Sequence, residues 1–243
     1  MNPVGVAVSV LLLLAVTVGV LRWARIPIAT SAVVALARGA GQLAVVSLLL
    51  GVALTHAWAG AAILVVMVVT AIVTARGRLR EFPRVLPAVA AAIVAGVAVT
   101  LVIVFGTRAF SFDVRYVLAF AGIVIGGSMT ASSTTGRQLW VGMLHRTDEI
   151  EGWLALGATP RQSVSEIARF AVVESMRPAI DQTKTTGLVT LPGAFVGALL
   201  AGSSPVDAGI FQVTVLAGLL AARSISAVAT AYLLGAPKLL PAR

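Results

Sequence analysis

Few residues in this chain can do chemistry, and they are gathered. Nine residues are acidic, and six of them, Asp148, Glu149, Glu151, Glu166, Glu174 and Asp181, fall between 148 and 181. Residues 148–170 read DEIEGWLALGATPRQSVSEIARF, a polar stretch broken in its middle by Gly-Ala-Thr-Pro. A second group carries hydroxyls: Ser128, Thr130, Ser132, Ser133, Thr134 and Thr135 follow Gly126 and Gly127, with Met129 among them. Small residues let helix backbones approach and hydroxyls bond across helices, so packing is the first reading and a polar lining the second. Two arginines, Arg38 and Arg223, stand inside apolar runs. An arginine in a bilayer is costly and points to function, although Arg38 can also snorkel to a nearby interface. Gln42 lies four residues after Arg38, on the same helical face. Pro192 and Gly193 interrupt a further apolar run, where a kink can free carbonyls to line a cavity. Neither H-E-x-x-H nor G-x-S-x-G occurs, and no Asp pair stands in an apolar run, which argues against an intramembrane enzyme.

These groups must be positioned by membrane helices. Of 243 residues, 59% are hydrophobic and only 11% charged, whereas a soluble domain is about a quarter charged. Seven segments are apolar over roughly the 20 residues a crossing needs: 3–21, 33–54, 57–75, 86–105, 116–135, 186–200 and 208–234. The fold class expected is therefore an all-α integral membrane protein, a single membrane-spanning domain over 1–243. The net charge of +9 sits in short gaps between spans, so it reads as topogenic rather than as a nucleic-acid surface. Arg22 and Arg25 follow the first span, Arg76, Arg78, Arg80 and Arg84 the third, and Arg137, Arg146, Arg161, Arg169 and Arg177 the fifth; Lys238 and Arg243 end the chain. The gaps between are poorer in basic residues. That alternation puts the N-terminus outside and the C-terminus inside, in a multi-pass protein of the cell membrane. The first run has its arginines after it, which makes it an anchor rather than a cleaved signal. Cysteine is absent, which excludes disulfides and thiolate metal sites.

The same topology leaves 136–182 in the cytoplasm as the one long polar segment. Ile150, Trp153 and Leu154 make an apolar face, with Glu149 and Glu151 opposite. Gly157 suits the left-handed residue that ends a helix. Thr159, Pro160 and Gln162 form a T-x-x-Q capping box for the next helix, which Pro178 is expected to stop. So the break is punctuation between two helices. Such a segment can dock a cytoplasmic partner or lie on headgroups as an interfacial helix.

Several stretches carry a resemblance: ARGAGQL (37–43), IVIGGSMTAS (123–132), LALGATPRQS (154–163), and GLVTLPG followed by LAGSSP (187–205). Together they resemble the FetB-type family of ABC permeases, which includes a bacterial iron exporter and plant aluminium-tolerance permeases. The resemblance implies a membrane subunit that works as a homodimer with two copies of a separate cytoplasmic ABC ATPase. It implies ATPase coupling through Glu149, Glu151, Trp153, Leu156, Gly157, Ala158 and Thr159. The translocation pathway expected includes Arg38 and Gln42, for which the resemblance speaks, together with Ser128, Met129, Thr130, Pro192 and Gly193. No phosphate loop G-x-x-x-x-G-K-[ST] occurs here, so ATP and Mg would belong to the partner and this chain would bind no cofactor and catalyse nothing itself.

The chain departs from the family where a substrate would be met. After LPG the family commonly carries two Met and then Gln; here those positions are Ala194, Phe195 and Ala198, and Phe211 replaces a common Tyr. Metal ions need oxygen, nitrogen or sulfur donors, so the sequence assigns no metal ligand set. Iron export is the first expectation. A non-metal polar cargo such as a sugar nucleotide, and a scaffold or regulator that docks a cytoplasmic protein, are the alternatives.

Overall fold

The structure is a computed structural model that describes residues 2–53 and 56–236. The last residue of the expected second span, Leu54, and the basic tail residues Lys238 and Arg243 lie outside the described residues. Ten helices are described, and the chain divides into two compact units, residues 1–59 and 60–243. Among the described residues six helices are long and apolar enough to cross a membrane.

In the first unit, α1 (Pro3–Trp23) pairs with α2 (Ala29–Ala53). Asn2 starts α1: its side-chain oxygen accepts from the Val4 and Gly5 N–H groups, and Pro3 sits where a missing N–H costs nothing. No residue of α1 is buried, and its long apolar side chains cover the helix all round. A helix apolar all round in a chain of this composition faces lipid.

The second unit holds α3 (Ala57–Arg78), α4 (Val85–Gly106), α5 (Val114–His145), α6 (Thr147–Ala155), α7 (Pro160–Ser163), α8 (Ser165–Thr185), α9 (Gly193–Leu200) and α10 (Pro205–Leu234). Its core is the seam of α4, α5 and α10. Small residues bring these helices together: Gly96 of α4 faces Ser226 and the Ala222 carbonyl, Gly127 of α5 faces Leu219 and Arg223, and Gly218 of α10 faces Phe120 and Thr100. Hydroxyls then bond between helices. Ser226 donates to the Ala92 carbonyl at 3.1 Å, Thr230 to Ser132 at 3.0 Å, and Thr135 to Ser175 of α8 at 2.8 Å. In a bilayer the hydrophobic effect does not drive helices together, so packing and such bonds, each worth about 0.6 kcal/mol, hold the bundle. At one end Phe105, Phe110, Tyr116, Phe120 and Phe211 close the seam as an aromatic cluster, with Phe110 stacked on Tyr116 at 5.8 Å.

These pairings give the helix directions. Met67 meets Gly122 and Leu79 meets Gly136, so α3 runs parallel to α5. Phe120 meets Gly218 and Ser132 meets Thr230, so α10 also runs parallel to α5. Ala92 meets Ser226 and Thr100 meets Gly218, so α4 runs the opposite way. Ile167 meets Gly142 and Ser175 meets Thr135, so α8 runs with α4.

Three expectations are corrected. The sixth segment, 186–200, is not one helix: α8 ends at Thr185, seven residues are unwound, and α9 covers only Gly193–Leu200. Gly187 has φ +92°, which an L side chain rarely adopts, and Pro192 stands outside α9 as its N-cap rather than as a kink inside it. Thus α8 and α9 together make the return path that the sequence assigned to one span. Second, Pro178 does not stop its helix. It lies inside α8, where it forfeits only the bond to the Glu174 carbonyl, while Ala171, Ser175 and Ala179 on the buried face carry the helix past it. Third, residues 136–145 belong to α5, which runs unbroken for 32 residues from Val114 to His145. The polar segment therefore begins at Arg146, and the helix expected after Thr159 is interrupted at Val164, between α7 and α8.

Candidate functional site

The polar segment is built on one buried anchor. Ile150 of α6 is buried and Leu154 packs against the same core, so α6 is held to the bundle by one edge. Its end has the left-handed glycine expected: Gly157 has φ +89°. The Gly157 N–H donates to the Leu154 carbonyl and the Ala158 N–H to the Trp153 carbonyl, both at 3.0 Å, the two bonds of a Schellman ending. The capping box is also present. The Thr159 hydroxyl accepts from the Gln162 N–H at 3.3 Å and the Gln162 side chain accepts from the Thr159 N–H at 2.8 Å. The corner between α6 and α7 is thus fixed by four local hydrogen bonds.

That corner carries exposed apolar side chains. Trp153 is 51% exposed and Leu156 82% exposed. The spacing put Ile150, Trp153 and Leu154 on one apolar face; the structure buries Ile150, packs Leu154 on the core and leaves Trp153 exposed. Glu149, Trp153, Leu156, Gly157 and Ala158 line one cavity of about 540 Å³, closed on the other side by Gln162, Glu166 and Arg169. Glu149 is already paired: both its oxygens accept from Arg146, at 2.6 and 2.7 Å, and Glu166 reaches Arg146 at 3.5 Å. That hydrogen bond to Glu149, with smaller help from Glu166 and against a slight burial cost, holds the Arg146 guanidinium above its usual range. Glu151 is exposed and enters no such pair. Among the coupling residues singled out in the sequence, Glu149, Trp153, Leu156, Gly157 and Ala158 share this cavity; Thr159 supports it through the cap.

Within the second unit, Ser128, Met129 and Thr130 do not share one surface. Ser128 is fully buried between α4 and α10, and its hydroxyl has no hydrogen-bond partner among the described residues. Met129 packs against the core beside α3, and Thr130 is exposed, donating back to the Gly126 carbonyl at 2.9 Å. Three consecutive helical residues point about 100° apart, so they cannot line one surface. Arg38 and Gln42 lie on α2, both exposed. Pro192 and Gly193 start α9, next to the unwound residues, where Leu188 is 95% and Val189 77% exposed.

Sequence reasoning missed part of the polar interior. Gln212, Ser226 and Thr230 of α10 are buried, and the Gln212 carbonyl oxygen has no partner among the described residues. A signal was there: Gly218, Ala222, Ser226 and Thr230 recur every fourth position, a stripe of small residues on one face. Arg223 lies across Gly127 of α5 with its Nε buried and without a partner. Ser224, which could have paired with it, instead donates to the Leu220 carbonyl at 2.8 Å. Asp181 and Lys184 pair at 3.2 Å, as their spacing suggested.

A second cavity, of about 960 Å³, opens at the aromatic end, between the start of α5, α9 and the start of α10. Ala194, Ala198 and Phe211, three of the positions that depart from the family pattern, all line it, with Asp113 and Asp207 at its edge. Phe195 does not line it. Among the described residues no group of three or more His, Asp or Glu stands close enough to hold a metal ion.

The model of a family described as "Uncharacterised protein family (UPF0014)" matches residues 4–237. The chain belongs to that family. UPF0014 relatives similar to it include "UPF0014 membrane protein STAR2" of Oryza sativa subsp. japonica, 35% identical over 202 residues, which are 82% of this chain and 70% of that protein. "Protein ALUMINUM SENSITIVE 3" of Arabidopsis thaliana is 34% identical over 69% of this chain and 61% of its own length. "Probable iron export permease protein FetB" of Escherichia coli (strain K12) is 32% identical over 57% of this chain and 53% of its own length. The chain thus spans less than two thirds of the last two relatives. No solved structure matches it. Family and helices together make this UPF0014 member a multi-pass membrane protein.

Proposed function

We propose that the chain acts as a single permease domain, the membrane half of an ATP-driven exporter, working as a homodimer with two copies of a separate ABC ATPase. The observation that carries this reading is the rigid corner of α6 and α7. It projects Trp153 and Leu156 from the one long polar segment, on a helix anchored by Ile150. A stiff helix with exposed large apolar side chains and flanking carboxylates is a surface that a partner protein can grip and move. ATP and Mg stay with the partner, which hydrolyses ATP and drives the switch between inward and outward openings. The cargo proposed first is a metal ion, iron by analogy with the relative named for iron export.

Expression of the tagged permease with a candidate ABC ATPase from the same genome tests the partner. The two should co-purify, and Glu151→Lys should abolish co-purification while insertion stays normal. Glu151 is the cleaner choice because Glu149→Lys also breaks the pair with Arg146. Stoichiometric binding by the Glu151→Lys chain would move the corner to the headgroup reading. One observation favours a second cargo. Among the described residues α4 and α5 carry no carboxylate, and Asp207, in the first turn of α10, lies sixteen residues, roughly 24 Å of helix, from Arg223. An uncompensated cation repels a bare metal ion and suits an anionic or strongly polar organic cargo. If no metal stimulates hydrolysis in the reconstituted complex, the second cargo replaces the first.

A further inference from the structure

A groove on the second unit lies beside the corner cavity, with which it shares Arg169, and holds none of the pathway residues. It holds about 560 Å³ between the N-terminal half of α8 and the end of α10, with Val172, Val173 and Val228 on its walls. Arg161 and Arg169 stand at its rim, and Tyr232 closes one side. The Arg161 guanidinium lies over the Tyr232 ring, 3.6 Å from its centre. Stacking fixes the plane of the guanidinium and leaves its N–H edges free. Neither Arg161 nor Arg169 pairs with a carboxylate among the described residues. At 1.5 Å per residue, roughly 33 Å of helix separates Ile210, near the aromatic end, from Tyr232. That is about the thickness of the hydrocarbon core, so Tyr232 and the two arginines sit at the opposite headgroup level, the level that tyrosine prefers.

We propose that this groove binds an anionic phospholipid. One acyl chain lies along Val172, Val173 and Val228, and Arg161 and Arg169 hold the phosphate. Two unpaired guanidinium groups at headgroup depth attract an anionic lipid, and the fork of N–H groups on each suits phosphate oxygens. An apolar wall alone would take any lipid; the arginines make the choice. The lipid then ties α7, through Arg161, to the end of α10, and so steadies the corner that begins at Gly157. None of this depends on the cargo.

The test titrates the full-length permease in detergent with palmitoyl-oleoyl phosphatidylglycerol or the matching phosphatidylcholine and counts bound lipid by native mass spectrometry. At roughly 5.5-fold per arginine, the anionic lipid should bind roughly 30-fold tighter. Arg161→Gln and Arg169→Gln should each cut that preference roughly fivefold, whereas Arg177→Gln, on α8 but outside the groove, should leave it unchanged. Val173→Trp should fill the groove and lower binding of both lipids, with helix content unaltered. Equal affinity for the two lipids overturns the proposal. So does equal loss in Arg177→Gln, or glycerol phosphate competing as well as the lipid, which would mark a small-anion site. A Val173→Cys chain that cross-links to a second copy in full yield would show that the groove is a protein interface, and would overturn it as well.

Discussion

Two glycines five residues apart make opposite demands on the same substitution. Gly152 is inside α6 with ordinary helical φ, and Gly157 ends the helix at φ +89°. A Cβ at either position meets nothing within 4 Å, so no clash separates them. Only backbone conformation does. Gly152→Ala removes the entropy penalty of a helical glycine and should stabilise α6 by about 0.5–1 kcal/mol. Gly157→Ala forces an L residue into the left-handed region and should cost about 1–2 kcal/mol. The two substitutions should therefore differ by roughly 1.5–3 kcal/mol in the local opening of the corner. Hydrogen exchange of peptides covering 147–158, on the permease in lipid nanodiscs, reads that opening. Exchange at the Gly157 and Ala158 amides, which close the Schellman bonds, should quicken roughly 5- to 30-fold in Gly157→Ala and slow a few-fold in Gly152→Ala. The core peptides of α4 and α10 should not change in either. A change of the same sign in both variants would refute the left-handed ending as what fixes the corner.

Other outcomes follow from the same contacts. Single cysteines at Ser203 and Arg80, in a chain that has no native cysteine, should react with an impermeant thiol reagent from opposite sides of the membrane. Labelling from one side would break the direction assigned to the crossing made of α8 and α9. Gly96→Val should wedge α4 from α10, since even a Cβ would press on Ser226 and within 2.7 Å of the Ala222 carbonyl; a cost of about 1–3 kcal/mol should lower the aggregation temperature in detergent. Gly19→Val on α1, where nothing lies within 4 Å, should not. Ala194→Met should add a sulfur donor to the 960 Å³ cavity and raise metal-stimulated hydrolysis in the reconstituted complex, while Phe195→Met, outside that cavity, should not.

What was legible in the sequence is what is local. The Thr159 cap, the Gly157 ending and the Asp181–Lys184 pair each depend on residues within four positions, and all three are present. Membrane helices were legible because length and apolarity alone decide them. The sixth segment was not, because hydropathy is the same whether 186–200 is wound or not. Gly187 and Pro192 were visible, but a kink and a break place the same residues in the same apolar run. Side-chain direction was also hidden where it depends on a neighbour. Ile150 and Trp153 share a face by spacing, yet only Ile150 finds a core to enter. Of the hydroxyl cluster, Ser132 and Thr135 find partners on α10 and α8, and Thr130 turns outward.

The broken crossing and the stray arginine belong to the same part of the bundle. Ala131, Met176 and Ala227 pack together where α5, α8 and α10 meet. Gly127, over which Arg223 lies, is one turn along α5 from Ala131. One turn along α8 from Met176, in the same direction, is Ile180, and α8 ends five residues later at Thr185. A helix end leaves carbonyls without helical partners, and its dipole presents negative charge there. Most of them are met locally: the Gln182 carbonyl accepts from the Thr186 hydroxyl at 2.8 Å, the Thr183 carbonyl from the Thr186 N–H at 3.3 Å, and the Thr185 carbonyl from the Val189 N–H at 3.0 Å. The end of α8 therefore presents a weak negative charge within two turns of the level of Arg223. An unwound backbone at membrane depth persists only where protein or water covers it, and on this chain Leu188 and Val189 leave it open. In the homodimer proposed above, a second copy over those residues would complete the cover.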